Sequence, residues 1–259
     1  MNIIEGKNIH RTFGKGNLVT HVLRGIDVNI RENEFVAVMG KSGAGKSTLM
    51  YQLSALDHPT DGEIIVNGTN IIDLSELELT QFRLYTLGYI FQDYALVPDL
   101  NALENVILPL LMRGDNWDSA EEVARMTLDS VGLEGKYQNL PSELSGGEQQ
   151  RVSVARAVAG KPKILFADEP TANLDSVSGN AVIDLLGKLH TEGQTIVMVT
   201  HEREYTKYCS RVIEIEDGRI IAERKPDGTP IEIEECADDD INPCYTALER
   251  AKKEKEAVI

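Results

Sequence analysis

The sequence predicts an α/β fold with a mixed, mainly parallel sheet, a small antiparallel β region and an inserted α-helical subdomain. Three observations lead there. Continuous apolar runs at residues 35–39, 163–167 and 195–199 suit strands buried on both faces, as in a parallel sheet. Segments with helical periodicity lie between those runs. Residues 3–11 and 22–30 instead alternate apolar and polar side chains, the pattern of antiparallel strands with one buried face.

Taken in order, the first two strands flank a loop at residues 11–16 with one aromatic, Phe13. The strand at 35–39 runs into a glycine-rich stretch, 40–48, and a helix from about Lys46 to Leu53. Pro59-Thr60-Asp61-Gly62 predicts a turn into a strand at 63–66, closed by a second turn at Asn67-Gly68. A helix is expected over 75–84, and a short strand over 87–91 that ends at Gln92.

Between Gln92 and Gly160 the pattern is helical, which predicts a subdomain over about residues 93–160. Asn101 and Glu104 have capping-box spacing ahead of a face made by Leu103, Val106, Ile107, Leu110 and Leu111. Pro109 predicts a kink in that helix. A second helix is expected to begin at Asp118 with Glu121, presenting Ala120, Val123, Ala124, Thr127, Leu128 and Val131. Strand and helix then alternate again, and the helix carrying Val182, Leu185, Leu186 and Leu189 stops near Gly193. Residues 212–222 predict a hairpin turning at Asp217-Gly218. One domain over residues 1–224 follows, with 225–259 an acidic C-terminal extension and a charged terminal helix at 245–256.

Composition narrows the partners. The chain has 259 residues, with 42 Asp and Glu against 26 Lys and Arg, a net charge of −16. Such a surface repels phosphate backbones and anionic lipid, so no nucleic-acid partner is expected and any membrane association runs through a protein. No secretory leader pattern opens the chain, and its longest apolar stretch, 106–112, is far too short for a bilayer span. Cys209, Cys236 and Cys244 form no C-x-x-C pair, as expected of reduced cytosolic thiols.

The chemistry centres on Gly40-Lys41-Ser42-Gly43-Ala44-Gly45-Lys46-Ser47-Thr48, a G-x-x-x-x-G-K-[ST] phosphate-binding loop. It sits between a buried strand and a helix, the context that the motif requires. Glycines let successive N–H groups converge on an anion, and the helix start adds its positive end. Lys46 can reach β- and γ-phosphates, and the Ser47 hydroxyl can ligate Mg²⁺. These features predict a P-loop nucleoside triphosphatase core.

A second strand ends in Asp168-Glu169. Asp168 stands where a second magnesium-holding group belongs, and Glu169 can polarise a water; equally, the pair can cap a helix that starts after Thr171. Ser145, Gly146 and Gly147 open another helix and make a second anion site without a lysine. One ATP does not need two such sites from one chain, so the second is expected to serve a nucleotide held by another copy.

With these pieces in order, the chain resembles ABC-type ATPases from about Ile3 to Glu223. Residues 144–151 resemble the signature motif, 40–48 Walker A and 164–169 Walker B. Gln92 matches the Q-loop, Asn173-Leu174-Asp175 the D-loop, and His201 the switch histidine. The runs 92–106 and 167–175 are similar to the MacB/LolD-type exporter branch. The resemblance implies Mg-dependent ATP hydrolysis by a homodimer that shares two ATP sites. It implies Glu169 as general base, His201 on the γ-phosphate, Gln92 as a third metal-holding group beside Ser47 and Asp168, and Asp175 near the nucleotide. Phe13 falls where the family has an adenine-stacking tyrosine; the alternative is an aromatic tucked into the core. A membrane permease is expected to dock on the helical subdomain, with residues 94–103 near the edge, holding the protein at the inner face of the membrane. A regulatory ATPase of the cell-division type shares these motifs. A soluble ABC ATPase is disfavoured by the net charge.

Overall fold

The computed structural model describes residues 1–14 and 18–231. Its first strands, β1 (Asn2–Phe13) and β2 (Thr20–Arg31), pair antiparallel. β1 also pairs with β4 (Asp61–Val66), which pairs with the two-residue β5 (Thr69–Asn70), giving the sheet order β2-β1-β4-β5. Two boundaries differ from expectation. β1 continues through Phe13, because pairing with Thr20 survives several bulges. β4 starts at Asp61, since His10 still finds a partner there.

The second sheet is built on β3 (Phe35–Met39), β7 (Ile164–Asp168) and β8 (Thr195–Val199), each buried along its whole length. With β6 (Leu87–Ile90) and the hairpin β9 (Arg211–Glu216) and β10 (Arg219–Arg224), the order is β10-β9-β3-β8-β7-β6. All neighbours run parallel except β10 on β9. Period-two side chains feed two cores. Phe35, Ala37, Leu165, Ala167, Ile196 and Met198 pack towards the helical subdomain. Val36, Val38, Ile164, Phe166, Val197 and Val199 pack towards the antiparallel sheet and helix α1 (Lys46–Leu53). Two buried faces explain why these strands lack any polar alternation.

Helix α2 (Glu76–Thr86) follows the first sheet. The insertion contains α3 (Ala102–Met112), α4 (Trp117–Ser130) and α5 (Gly146–Ala159), and α6 (Ser176–Thr191) lies between β7 and β8. Asn101 and Glu104 form the expected capping box, and Pro109 lies inside an unbroken α3. α4 starts one residue before Asp118, because the Asn116 side chain accepts from the Ser119 amide at 3.0 Å. Asp118 falls in the first turn, where a carboxylate complements the helix dipole.

Beyond β10 the chain turns back, the Ile231 amide donating to the Glu223 carbonyl. The acidic run 232–240 and the expected helix at 245–256 lie outside the described residues. Among the described residues no helix is long and apolar enough to cross a membrane.

Candidate functional site

The carboxyl ends of β3, β7, β8 and β6 deliver Gly40, Glu169, His201 and Gln92, the edge where open α/β sheets place their ligands. The glycine-rich loop folds on itself. The Ala44 amide donates to the Lys41 carbonyl at 3.2 Å, and Lys46 Nζ reaches the same carbonyl at 3.1 Å. Gly43 has φ of 78° with open space where a side chain would stand, so backbone conformation selects glycine there. Lys46 is buried, at 7% exposure.

α1 begins at Gly45 with no side-chain cap and no acid in its first turn. Helix starts leave N–H groups unpaired, and among the described residues no side chain takes them here. α2, α3 and α5 each have a full capping box from Ser75, Asn101 and Ser145. The start of α1 is therefore open to an anion from outside.

Ser47 Oγ donates to Asp168 Oδ1 at 3.0 Å, which brings two hard oxygen donors together. Burial pushes the Asp168 carboxyl above its ordinary value, against the hydrogen bonds of the Ser47 and Tyr51 hydroxyls. A buried carboxylate with one side on a hydroxyl suits a divalent cation. Among the described residues no group of three or more His, Cys, Asp or Glu could hold a metal, so Ser47 and Asp168 would need ligands of another kind beside them, such as phosphate oxygens, water or an amide side chain. The next residue, Glu169, takes a left-handed φ of 43° while its amide still pairs with Val199 of β8. The Glu169 charge still acts on Asp168 and helps to raise it. Glu169 Oε2 meets His201 Nδ1 at 3.4 Å, and His201 remains mostly exposed.

Other expected residues stand apart from this cluster. The Gln92 side chain is exposed, and its backbone carbonyl accepts from Asn173 Nδ2 at 3.1 Å. Asp175 caps α6, accepting from the amides of Val177 and Ser178 and from the Ser178 hydroxyl. The helix after Walker B is thus capped by Asp175, and Asp168 and Glu169 are left free of capping. Ser145 caps α5, and among the described residues no hydrogen bond joins Ser145, Gly146 or Gly147 to residues 40–48. Phe13 is 44% exposed, which removes the alternative of a core aromatic.

Three side chains whose contacts the sequence did not reveal tie these loops together. Asn173 also donates to Asp93 Oδ1 at 3.0 Å, and Gln150, fully buried, donates to the Pro170 carbonyl at 2.8 Å. Arg156 donates to the carbonyls of Tyr94 and Ala95, which are both left-handed. A basic side chain inside the apolar pattern of α5 was the available signal for Arg156. No local pattern marks the other two.

A family model described as ABC transporter matches residues 23–172. The macrolide export ATP-binding/permease protein MacB of Mannheimia succiniciproducens is 47% identical over 221 residues, which cover 85% of this chain and 34% of that protein. The chain thus spans about a third of that relative's length. The lipoprotein-releasing system ATP-binding protein LolD of Aquifex aeolicus is 46% identical over 202 residues, covering 78% of this chain and 90% of that protein. Among solved structures, a dimeric ATP-binding cassette in a post-hydrolysis state with ADP and Pi superposes with a TM-score of 0.81. It is 38% identical, covering 86% of this chain and 98% of that one.

Proposed function

The chain belongs to the ABC transporter family as an ATP-binding, ATP-hydrolysing cassette of the MacB/LolD type, and from that premise we propose how its residues divide the work. The uncapped start of α1 carries the proposal. Amides of the loop that contains Gly40, Ser42, Gly43, Ala44, Gly45 and Thr48, together with Lys46, bind the β- and γ-phosphates. Phe13 offers its exposed ring to adenine. Ser47 and Asp168 hold Mg²⁺, with Gln92 reaching it from the exposed loop after β6. The cation supplies charge neutralisation on the phosphate oxygens when bound. Glu169 takes the proton of the attacking water, and His201 orients Glu169 and steadies the γ-phosphate.

Two copies close head to tail. Ser145, Gly146 and Gly147 of one face the phosphates held by the other, with Asp175 beside that junction. This is supported by the lack, among the described residues, of any hydrogen bond from Ser145, Gly146 or Gly147 to residues 40–48, and by the dimeric state of the related cassette. A membrane permease docks on the helical subdomain at the groove beside α3, where Leu56 and Met112 line the cleft and Leu108 is exposed one helical turn before Met112. Residues 93–160 are the subdomain it moves, and the protein lies against the membrane through that partner. Cargo then resembles that of the relatives, a drug, peptide or lipoprotein. The test is to recover the membrane protein that co-purifies with this chain. Leu108→Glu with Met112→Glu should lose it and its stimulation of ATP hydrolysis; full retention by the double variant contradicts the groove assignment.

A further inference from the structure

Phe13 does not stand alone on its strand. The Arg11 guanidinium lies 4.5 Å from the centre of the Phe13 ring, covering one face of a side chain that is still 44% exposed. The same guanidinium donates to Asp57 Oδ1 at 2.7 Å. Asp57 Oδ2 accepts from Gln52 Nε2 at 3.0 Å, and Gln52 is a fully buried residue of α1. An unbroken chain of contacts therefore runs from the exposed aromatic, through a cation and a carboxylate, to the helix that starts at the phosphate loop.

We propose that Arg11 is a positioning residue for nucleotide binding, which backs Phe13 and registers the adenine platform against helix α1. The proposal rests on the assignment of Phe13 to adenine and extends it to how the ring is held. Two physical effects follow. A ring clamped by a cation on one face loses fewer rotamers when a base stacks on the other, so less entropy is given up on binding. The tether also sets the distance between platform and phosphate loop, which a nucleotide must span with its base and its phosphates at once. Arg11 takes this position at some expense, because among the described residues its Nε is buried without a partner, as is Oε1 of Gln52.

The experiment compares ATP with inorganic tripolyphosphate, which has phosphates and no base. Arg11→Met keeps length and removes the cation. It should raise the KM for ATP about two- to fivefold, the factor an exposed cation–π contact carries, and leave inhibition by tripolyphosphate as in the wild type. Arg11→Lys should restore part of the loss, and Arg11→Met should add nothing on a Phe13→Ala background. Equal weakening of ATP and tripolyphosphate by Arg11→Met would overturn the proposal, since the effect would then pass through α1 alone. An unchanged KM for ATP would overturn it as well. Phe13→Ala separates the two levels: if it spares ATP binding, the adenine assignment itself fails; if it weakens ATP and Arg11→Met does not, only the backing role fails.

Discussion

Two helices of this chain start at glycine-bearing anion motifs, and they start in opposite ways. α1 opens at Gly45 with no side-chain cap, no acid in its first turn and a buried lysine at its head. α5 opens at Ser145 with both halves of a capping box in place and Glu148 in its first turn. The first start leaves its donors for a ligand and supplies a cation. The second satisfies part of its own polarity, with Ser145 exposed, Gly146 half-buried and Gly147 buried. A phosphate held by α1 thus has a full site within one chain, and α5 has half of one. The difference fits the proposal that the second motif serves a nucleotide held by another copy of the protein.

The largest expected break comes at the complete site. Lys46→Ala removes a buried cation from beside several negative charges, so ATP affinity should fall roughly a hundredfold or more by equilibrium titration. ATP binding at wild-type strength would contradict the phosphate-loop assignment.

Packing at the half site can be tested next. A side chain at Gly147 would sit 2.8 Å from Ser178 Cβ and Oγ on α6, closer than packed atoms allow. Gly147→Ala should therefore lower stability by about 1–3 kcal/mol in denaturant unfolding. The glycines of the signature motif were explained in the sequence by anion binding. The structure adds close helix contact, which no single-sequence pattern can show.

The smallest effect sharpens the comparison. The Ser145 amide and hydroxyl, with help from Lys136, hold the Glu148 carboxyl at about 2, well below the ordinary carboxylate range. A lowered folded-state value means that the cap stabilises the protein above the ordinary carboxylate range and loses that stabilisation as pH falls towards 2. Glu148→Gln should lower stability by about 1 kcal/mol at neutral pH. The gap between variant and wild type should close on acidification towards pH 2. A gap that stays constant with pH would remove the charged cap from the account.

What was legible in the sequence follows from periodicity and short motifs. The strands 35–39 and 195–199 stand where their apolar runs placed them, because burial on both faces leaves no other pattern. Ser47 and Asp168 are 121 residues apart and meet at 3.0 Å, a pairing that the order of the motifs implied. Contacts made by common residue types across loops were not legible. Asn173 on Gln92, Gln150 on Pro170 and Arg11 on Phe13 depend on where strands end, and helix caps such as Asn116 compete with nearby acids for that place.

The shared site is tested most directly with Glu169→Gln. Glutamine keeps the shape of glutamate and cannot take a proton from water at neutral pH, so hydrolysis should fall by about a hundredfold or more while ATP still binds. The change also removes one of two adjacent negative charges beside the γ-phosphate, which favours the ATP-bound state. On a sizing column the variant should elute as a dimer with ATP and as a monomer with ADP. Adding Ser145→Arg, which blocks the half site and leaves the complete one intact, should return the ATP-bound protein to monomer. A Glu169→Gln protein that binds ATP and stays monomeric, or a Ser145→Arg double variant that still dimerises, would contradict the sharing of one ATP between α1 of one copy and α5 of the other.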